Sequence, residues 1–154
     1  MAEERVLYKG GYKYQLYETY KTTVRISPPE DIDTDYIALD QRGLLVIKKG
    51  YAWDGPSGPT VDTGNFIRGS LVHDALYQLM RMKHLSDELH RKAADKELKQ
   101  ICRDDGMSSI RAWWVYESVR QFGGPAASAD NVKEILVAPN GKPVPVTDYV
   151  DEPE

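Results

Sequence analysis

The sequence has a single cysteine, no long apolar run and no excess of basic residues, and each shortage excludes a class of protein. Cys102 has no second cysteine to pair with, so a secreted domain stapled by internal disulfides is excluded. No apolar stretch approaches the roughly 20 residues that span a bilayer. The formal net charge of -4 argues against non-specific binding to nucleic acid, for which a basic face is expected.

The remaining composition predicts one globular domain. The 154 residues are 41% apolar and 29% charged, an ordinary balance for a folded chain. Met1–Arg5 lacks the basic start and apolar run of a signal peptide, so we expect synthesis and folding in a cytoplasm. We assign one α+β domain to residues 1–124 and an extended C-terminal tail, proline-rich with an acidic end, to residues 125–154.

Residues 10–50 show the period-two alternation of β-strands. Tyr14 and Leu16 alternate with polar neighbours, as expected for a pleated, half-buried surface. Two apolar runs, 36–39 and 44–47, flank a short turn that contains a glycine, which predicts a hairpin. This part of the chain therefore predicts an N-terminal antiparallel sheet.

A loop and three helices are predicted after the sheet. Residues 51–65 are too rich in glycine and proline for a helix or a central strand. The apolar period then fits a helix over about 66–82, and Ser86 is a suitable N-cap for a second helix. A third periodic segment stops at Gly123, so we expect a three-helix bundle over residues 66–124.

A histidine followed by an aspartate is the sharpest chemical feature, and it lies in the first predicted helix. His73 and Tyr77 are four residues apart and share a helix face, whereas Asp74 points about 100° away. A base can then act on water while the carboxylate holds a metal beside it. Asp95, on the second helix, could accept a hydrogen bond from the His73 ring, fix its tautomer and support an imidazolium. Tyr77 could share that role.

Oxygen ligands for a cation are available in the glycine-rich loop before this helix. Asp54 or Asp62, together with backbone carbonyls, supplies the hard oxygens that suit calcium, which takes six to eight of them. Asp74 could complete the set from the helix. For Asp54, an Asx-turn with Gly55 is the alternative role, and the sequence favours neither.

Purely structural roles are the alternative for the histidine and aromatic side chains. His73 could be a structural histidine that links two helices through a carboxylate. His84 and His90 are six apart and do not share a helix face, which weighs against a zinc site. Trp113, Trp114 and the tyrosines of the N-terminal part could face a membrane or a partner, but we expect most of these aromatic side chains to pack in the core.

The ordered motifs of the middle third of the chain resemble the core of phospholipase A2, most closely the prokaryotic type. They are a glycine-rich loop with Asp54-Gly55-Pro56-Ser57, His-Asp-x-x-Tyr at residues 73–77, and Arg-x-x-x-Asp at residues 91–95. The resemblance covers residues 51–102. It implies an α-helical pair that carries the site and a phospholipid substrate.

This resemblance also implies a role for each matching residue. His73 would be the general base on water, with Asp95 as its partner. Asp54 and Asp74 would be calcium ligands, and calcium would polarise the ester carbonyl and stabilise the oxyanion.

A wider stretch of the chain, about residues 35–122, resembles an uncharacterised family of small phage-encoded proteins. The likeness rests on the segment 50–60, on Arg68 to Tyr77 and on Arg91 to Asp95. It implies a bacteriophage or prophage origin, with synthesis in the cytoplasm of a host bacterium.

Two functions of different class follow as hypotheses. The first is a calcium-dependent lipid esterase that acts at host entry or lysis, and it predicts a cleft with His73 and Asp74 exposed at its floor. The second is a non-catalytic virion protein of a tail, baseplate or connector. It would use the same helices as a scaffold and its C-terminal tail to contact other virion subunits.

Overall fold

The computed structural model describes residues 7–8, 14–53, 64–128, 135–137 and 142–144. Antiparallel strands precede a group of helices, which confirms the predicted α+β class. The strands are β1 (Leu7–Tyr8), β2 (Tyr14–Gln15), β3 (Tyr20–Thr23), β4 (Ile32–Asp33), β5 (Ile37–Leu39), β6 (Leu44–Ile47), β7 (Ala52–Trp53), β8 (Ile135–Val137) and β9 (Lys142–Val144). The helices are α1 (Gly64–Arg81), α2 (Asp87–Asp104), α3 (Ser109–Phe122) and α4 (Gly124–Ala127).

The main sheet has four antiparallel strands in the order β3-β6-β5-β4. Its central pair, β5 and β6, is the hairpin that the sequence predicted. Gly43 in the turn has φ +87°, and a Cβ there would lie 2.3 Å from the carbonyl oxygen of Val24. Only glycine tolerates that backbone conformation together with that close approach.

Smaller antiparallel sheets extend the β-structure. β2 pairs with β7, so the start of the predicted loop is a strand. β1 pairs with β8, and β8 with β9, so part of the predicted C-terminal tail is paired with the N-terminal end of the chain. α4 directly follows α3, and Ala127 is fully buried, so packed structure extends beyond residue 124.

The helix ends follow the capping signals of the sequence. The Ser86 hydroxyl accepts the backbone N–H of Leu89 at the start of α2, as predicted. Ser108 does the same for Arg111 at the start of α3. None of the helices in the described ranges is both long and apolar enough to cross a bilayer.

Most residues of helix α1 are buried because it packs against both the sheet and α2. Leu76 and Leu79 join the main core with Leu39, Leu45 and other sheet residues. On the α2 side the helices approach closely at Gly69, where a Cβ would lie 2.9 Å from the Cys102 sulfur. His73 is one turn further along the same face of α1 and therefore also points at α2.

The exposure of the two tryptophans of helix α3 differs from the prediction that most aromatic side chains lie in the core. Trp113 and Trp114 are 46% and 61% exposed, so they do not pack in the core. The side of α3 that faces α2 instead buries two small residues, Ala112 and Val115. Leu89 of α2 is also exposed.

Candidate functional site

Helices α1 and α2 bring three of the predicted site residues together around one carboxylate. His73 Nε2 lies 2.7 Å from Asp95 Oδ1, and the Tyr77 hydroxyl donates to the same oxygen at 2.5 Å. The spacing of four residues places both donors on one face of α1, with ring centroids 4.0 Å apart. The structure therefore has the predicted hydrogen bond between His73 and Asp95, whereas Tyr77 donates to Asp95 instead of sharing its role toward the His73 ring.

The second oxygen of Asp95 has a partner that sequence reasoning missed. Arg120 of α3 donates through Nη1 to Asp95 Oδ2 at 2.7 Å. Asp95 is fully buried, and its two oxygens accept from three different side chains. One buried carboxylate thus connects α1, α2 and α3.

Arg91 forms an outer part of this network. Its Nε donates to the Tyr77 hydroxyl at 3.2 Å, and its Nη2 donates to the backbone carbonyls of Val119 and Arg120 at 2.7 and 2.8 Å. Those carbonyls lie in the last turn of α3, where a cation is favoured by the helix dipole. The Arg-x-x-x-Asp spacing contained a signal for Arg91, because residues four apart share a helix face.

The charges of this network shift the pKa values of its members. Burial favours the neutral form of Asp95, but hydrogen bonds from His73, Tyr77 and Arg120 outweigh it and lower the pKa of the carboxyl. Burial also opposes protonation of His73, yet the neighbouring Asp74 and Asp95 raise the pKa of the imidazole. Burial and the contact with Asp95 raise the pKa of Tyr77. Asp95 is thus ionised and Tyr77 a neutral donor near pH 7.

The hydrogen bond to Asp95 decides which ring nitrogen of His73 can act as a base. An ionised carboxylate accepts only, so neutral His73 carries its proton on Nε2 and leaves a lone pair on Nδ1. Nδ1 lies 3.8 Å from Asp74 Oδ1, which is too long for a direct hydrogen bond. A water molecule about 2.8 Å from both atoms would satisfy them.

The exposed fractions of the His73 and Asp74 side chains agree only in part with the predicted cleft. The Asp74 side chain is 33% exposed, whereas that of His73 is 8% exposed. The expectation that both residues are exposed at the floor of a cleft therefore holds for Asp74 alone. The Nδ1 edge of the imidazole is the edge that faces this partly exposed carboxylate.

Only one of the candidate calcium ligands lies within the residues that the structure describes. Asp74 lies beside the base, while Asp54 and Asp62 lie outside the described residues. Within the ranges that the structure describes, no three carboxylate, imidazole or thiol groups converge as a metal site. Calcium takes six to eight oxygens, so Asp74 would need further ligands, and Asp54 or Asp62 with carbonyls of their loop stays the prediction for them.

The fold and site define an α+β protein in which three helices share a buried His–Asp–Arg network. A model of the family described as a protein of unknown function (DUF1353) matches residues 31–119, and the chain belongs to this family. That range is close to residues 35–122, over which the sequence resembled an uncharacterised family. No curated protein and no solved structure shows a significant match.

Proposed function

We propose that this protein is a phage-encoded, calcium-dependent lipid esterase of the phospholipase A2 type. The supporting observation is the contact of His73 Nε2 with the ionised Asp95, which in the neutral imidazole places the basic lone pair on Nδ1, beside Asp74. Phage origin and action at host entry or lysis belong to the same proposal. They rest on the resemblance of the glycine-rich loop and helix motifs to phage-encoded proteins.

In the proposed reaction, His73 Nδ1 removes a proton from a water molecule while the water oxygen attacks the ester carbonyl carbon. The new C–O bond forms a tetrahedral intermediate, and Asp95 stabilises the imidazolium. The bond to the alkoxide then breaks, and the imidazolium returns the proton to the leaving oxygen. The products are a free fatty acid and a lysophospholipid.

The other residues orient the base. Tyr77 and Arg120 also donate to Asp95 and hold its carboxylate in the orientation that faces His73. Arg91 holds the Tyr77 hydroxyl in place from the other side. Calcium, held by Asp74 with Asp54 and carbonyls of its loop, would supply an electrophile for the ester carbonyl when bound.

The test measures fatty-acid release from mixed phospholipid vesicles, with calcium or with a chelator. We expect calcium-dependent release by the wild type and a loss of at least about 100-fold in His73→Ala, the range for a missing general base. His84→Ala is the matched control, because His84 is an exposed histidine that follows the end of α1. Full activity in His73→Ala would contradict the proposal.

A second candidate function is favoured by the burial of His73. A histidine only 6% exposed and hydrogen-bonded to a buried carboxylate is also what a non-catalytic scaffold contains. The protein would then be a virion component of a tail, baseplate or connector, with its C-terminal tail against other subunits. Mass spectrometry of purified particles, together with absence of lipid hydrolysis by the folded protein, would support this candidate.

A further inference from the structure

Gly123 closes the last turn of helix α3, beside the outer part of the Asp95 network. Its backbone N–H donates to the Val119 carbonyl at 2.9 Å, and α4 begins at the next residue. Gly123 has φ -79° and ψ -14°, an ordinary right-handed conformation that any residue can adopt. The backbone conformation therefore does not require a glycine here, so any such requirement lies in the space around its Cα.

Two oxygen atoms of the network fill the space beside Gly123. A Cβ at this position would lie 2.8 Å from the Tyr77 hydroxyl oxygen and 2.5 Å from the Val119 carbonyl oxygen. Non-bonded heavy atoms pack at about 3.5–4.0 Å, so a methyl group does not fit unless the hydroxyl or the end of α3 moves. The same two oxygens accept hydrogen bonds from Arg91, through Nε and Nη2 respectively.

Both groups that would have to move are held by hydrogen bonds. The Tyr77 hydroxyl donates to the buried Asp95 at 2.5 Å and accepts from Arg91 at 3.2 Å. The last turn of α3 also carries Arg120, which donates to the other oxygen of Asp95 at 2.7 Å. A side chain at Gly123 would therefore separate Asp95 from Tyr77 or from Arg120.

We propose that Gly123 is a positioning residue for the general base His73. Its missing side chain allows the end of α3 to approach α1, so that Tyr77 and Arg120 both reach the Asp95 carboxylate. That carboxylate in turn orients the imidazole. The inference rests on the proposed function for its effect on hydrolysis, and Gly123 acts only through these side chains. A displacement of about 1 Å in an orienting group can cost about 100-fold in rate.

The test compares Gly123→Ala with Gly124→Ala, which is the matched control. Gly124 is the neighbouring glycine, and a Cβ there would meet no atom closer than Arg91 Nη1, at the ordinary contact distance of 3.7 Å. Both variants replace a glycine with an alanine at the same end of α3, so the effects on the unfolded chain are similar. Circular dichroism verifies that each variant is folded.

The first readout is independent of catalysis. Proton NMR of the full chain follows the Tyr77 hydroxyl and the His73 Nε2–H, which are bonded to one buried carboxylate. Tyr77→Phe assigns the hydroxyl signal because it deletes that proton. We expect the signal to shift upfield or to exchange faster with water in Gly123→Ala, and to stay unchanged in Gly124→Ala.

The second readout is hydrolysis of mixed phospholipid vesicles in the presence of calcium. We expect Gly123→Ala to lower kcat at least about tenfold with little change in KM, because the orientation of the base matters in the transition state. Adding Gly123→Ala to Tyr77→Phe should cost less than adding it to the wild type, since phenylalanine has no hydroxyl to clash. If Gly123→Ala alone does not fold, Tyr77→Phe should restore folding.

Three outcomes would overturn the inference: an unchanged hydroxyl signal in folded Gly123→Ala, equal losses from Gly123→Ala with and without the Tyr77 hydroxyl, or no recovery of folding by Tyr77→Phe. Hydrolysis by Gly123→Ala at the wild-type rate would also overturn it and leave the proposed function standing. Absence of hydrolysis by the wild type would refute the proposed function. The proton spectra would then still decide whether Gly123 sets the geometry of the network.

Discussion

Replacement of Asp95 by asparagine tests the network that connects the three helices. Asparagine has nearly the same shape as aspartate but carries no charge. Its amide NH₂ is itself a donor, and it would replace an oxygen that now accepts a hydrogen bond. The variant weakens three hydrogen bonds to a buried carboxylate, two at 2.7 Å and one at 2.5 Å. Each bond of this kind contributes about 1.5–3 kcal/mol, but bonds that share one acceptor are not additive.

The expected loss in the free energy of unfolding is about 3 kcal/mol. Removal of one partner from a buried ion pair costs about 3–5 kcal/mol, and the partial exposure of the Arg120 side chain reduces that cost. For a chain of this length, such a loss lowers Tm by about 6–12 °C. Urea unfolding followed by circular dichroism at pH 7 measures the difference.

The matched control is Asp104→Asn, an exposed position on the same helix, for which we expect a change below about 0.5 kcal/mol in the free energy of unfolding.

The effect of Asp95→Asn should also depend on pH. The folded state lowers the pKa of Asp95, so its stabilisation is complete above the ordinary aspartate pKa and disappears as the pH falls through the lower folded value. A loss below about 1 kcal/mol at pH 7, or one that grows in acid, would refute the network reasoning.

Two further predictions concern the crossing of α1 and α2. Gly69→Ala places a Cβ 2.9 Å from the Cys102 sulfur, so we expect a loss of about 1–2 kcal/mol in urea unfolding despite the better helix propensity of alanine. Adding Cys102→Ala to Gly69→Ala should recover part of that loss. If the double variant instead loses the sum of the two single losses in the free energy of unfolding, the steric explanation is wrong. Burial raises the pKa of the Cys102 thiol to about 11, so the folded protein should react with a thiol reagent at pH 8 far more slowly than the urea-unfolded chain. Equal labelling rates would show that the sulfur is accessible.

Local signals in the sequence predicted much of the fold. The hairpin follows from two apolar runs around Gly43, and the start of α2 follows from the hydroxyl of Ser86, since both depend on neighbours in the chain. The His73–Tyr77 pair was predictable for the same reason, because helical geometry alone places residues four apart on one face. Asp95 was predictable as their partner because two antiparallel helices with a short link bring such residues together.

The role of α3 was decided by tertiary structure. The apolar spacing of residues 112, 115 and 119 does indicate the side of this helix that packs against α2, but it does not predict that the neighbouring tryptophans stay outside the core. The close packing there accepted the small Ala112 and Val115 and left Trp113 and Trp114 in solvent. The same rotation of α3 directs Arg120 at the buried Asp95, a pairing across 25 residues that no local spacing encodes. The sequence by itself thus determined the helices and the His73–Tyr77 face, whereas packing decided which cation completes the site and which aromatic side chains stay exposed.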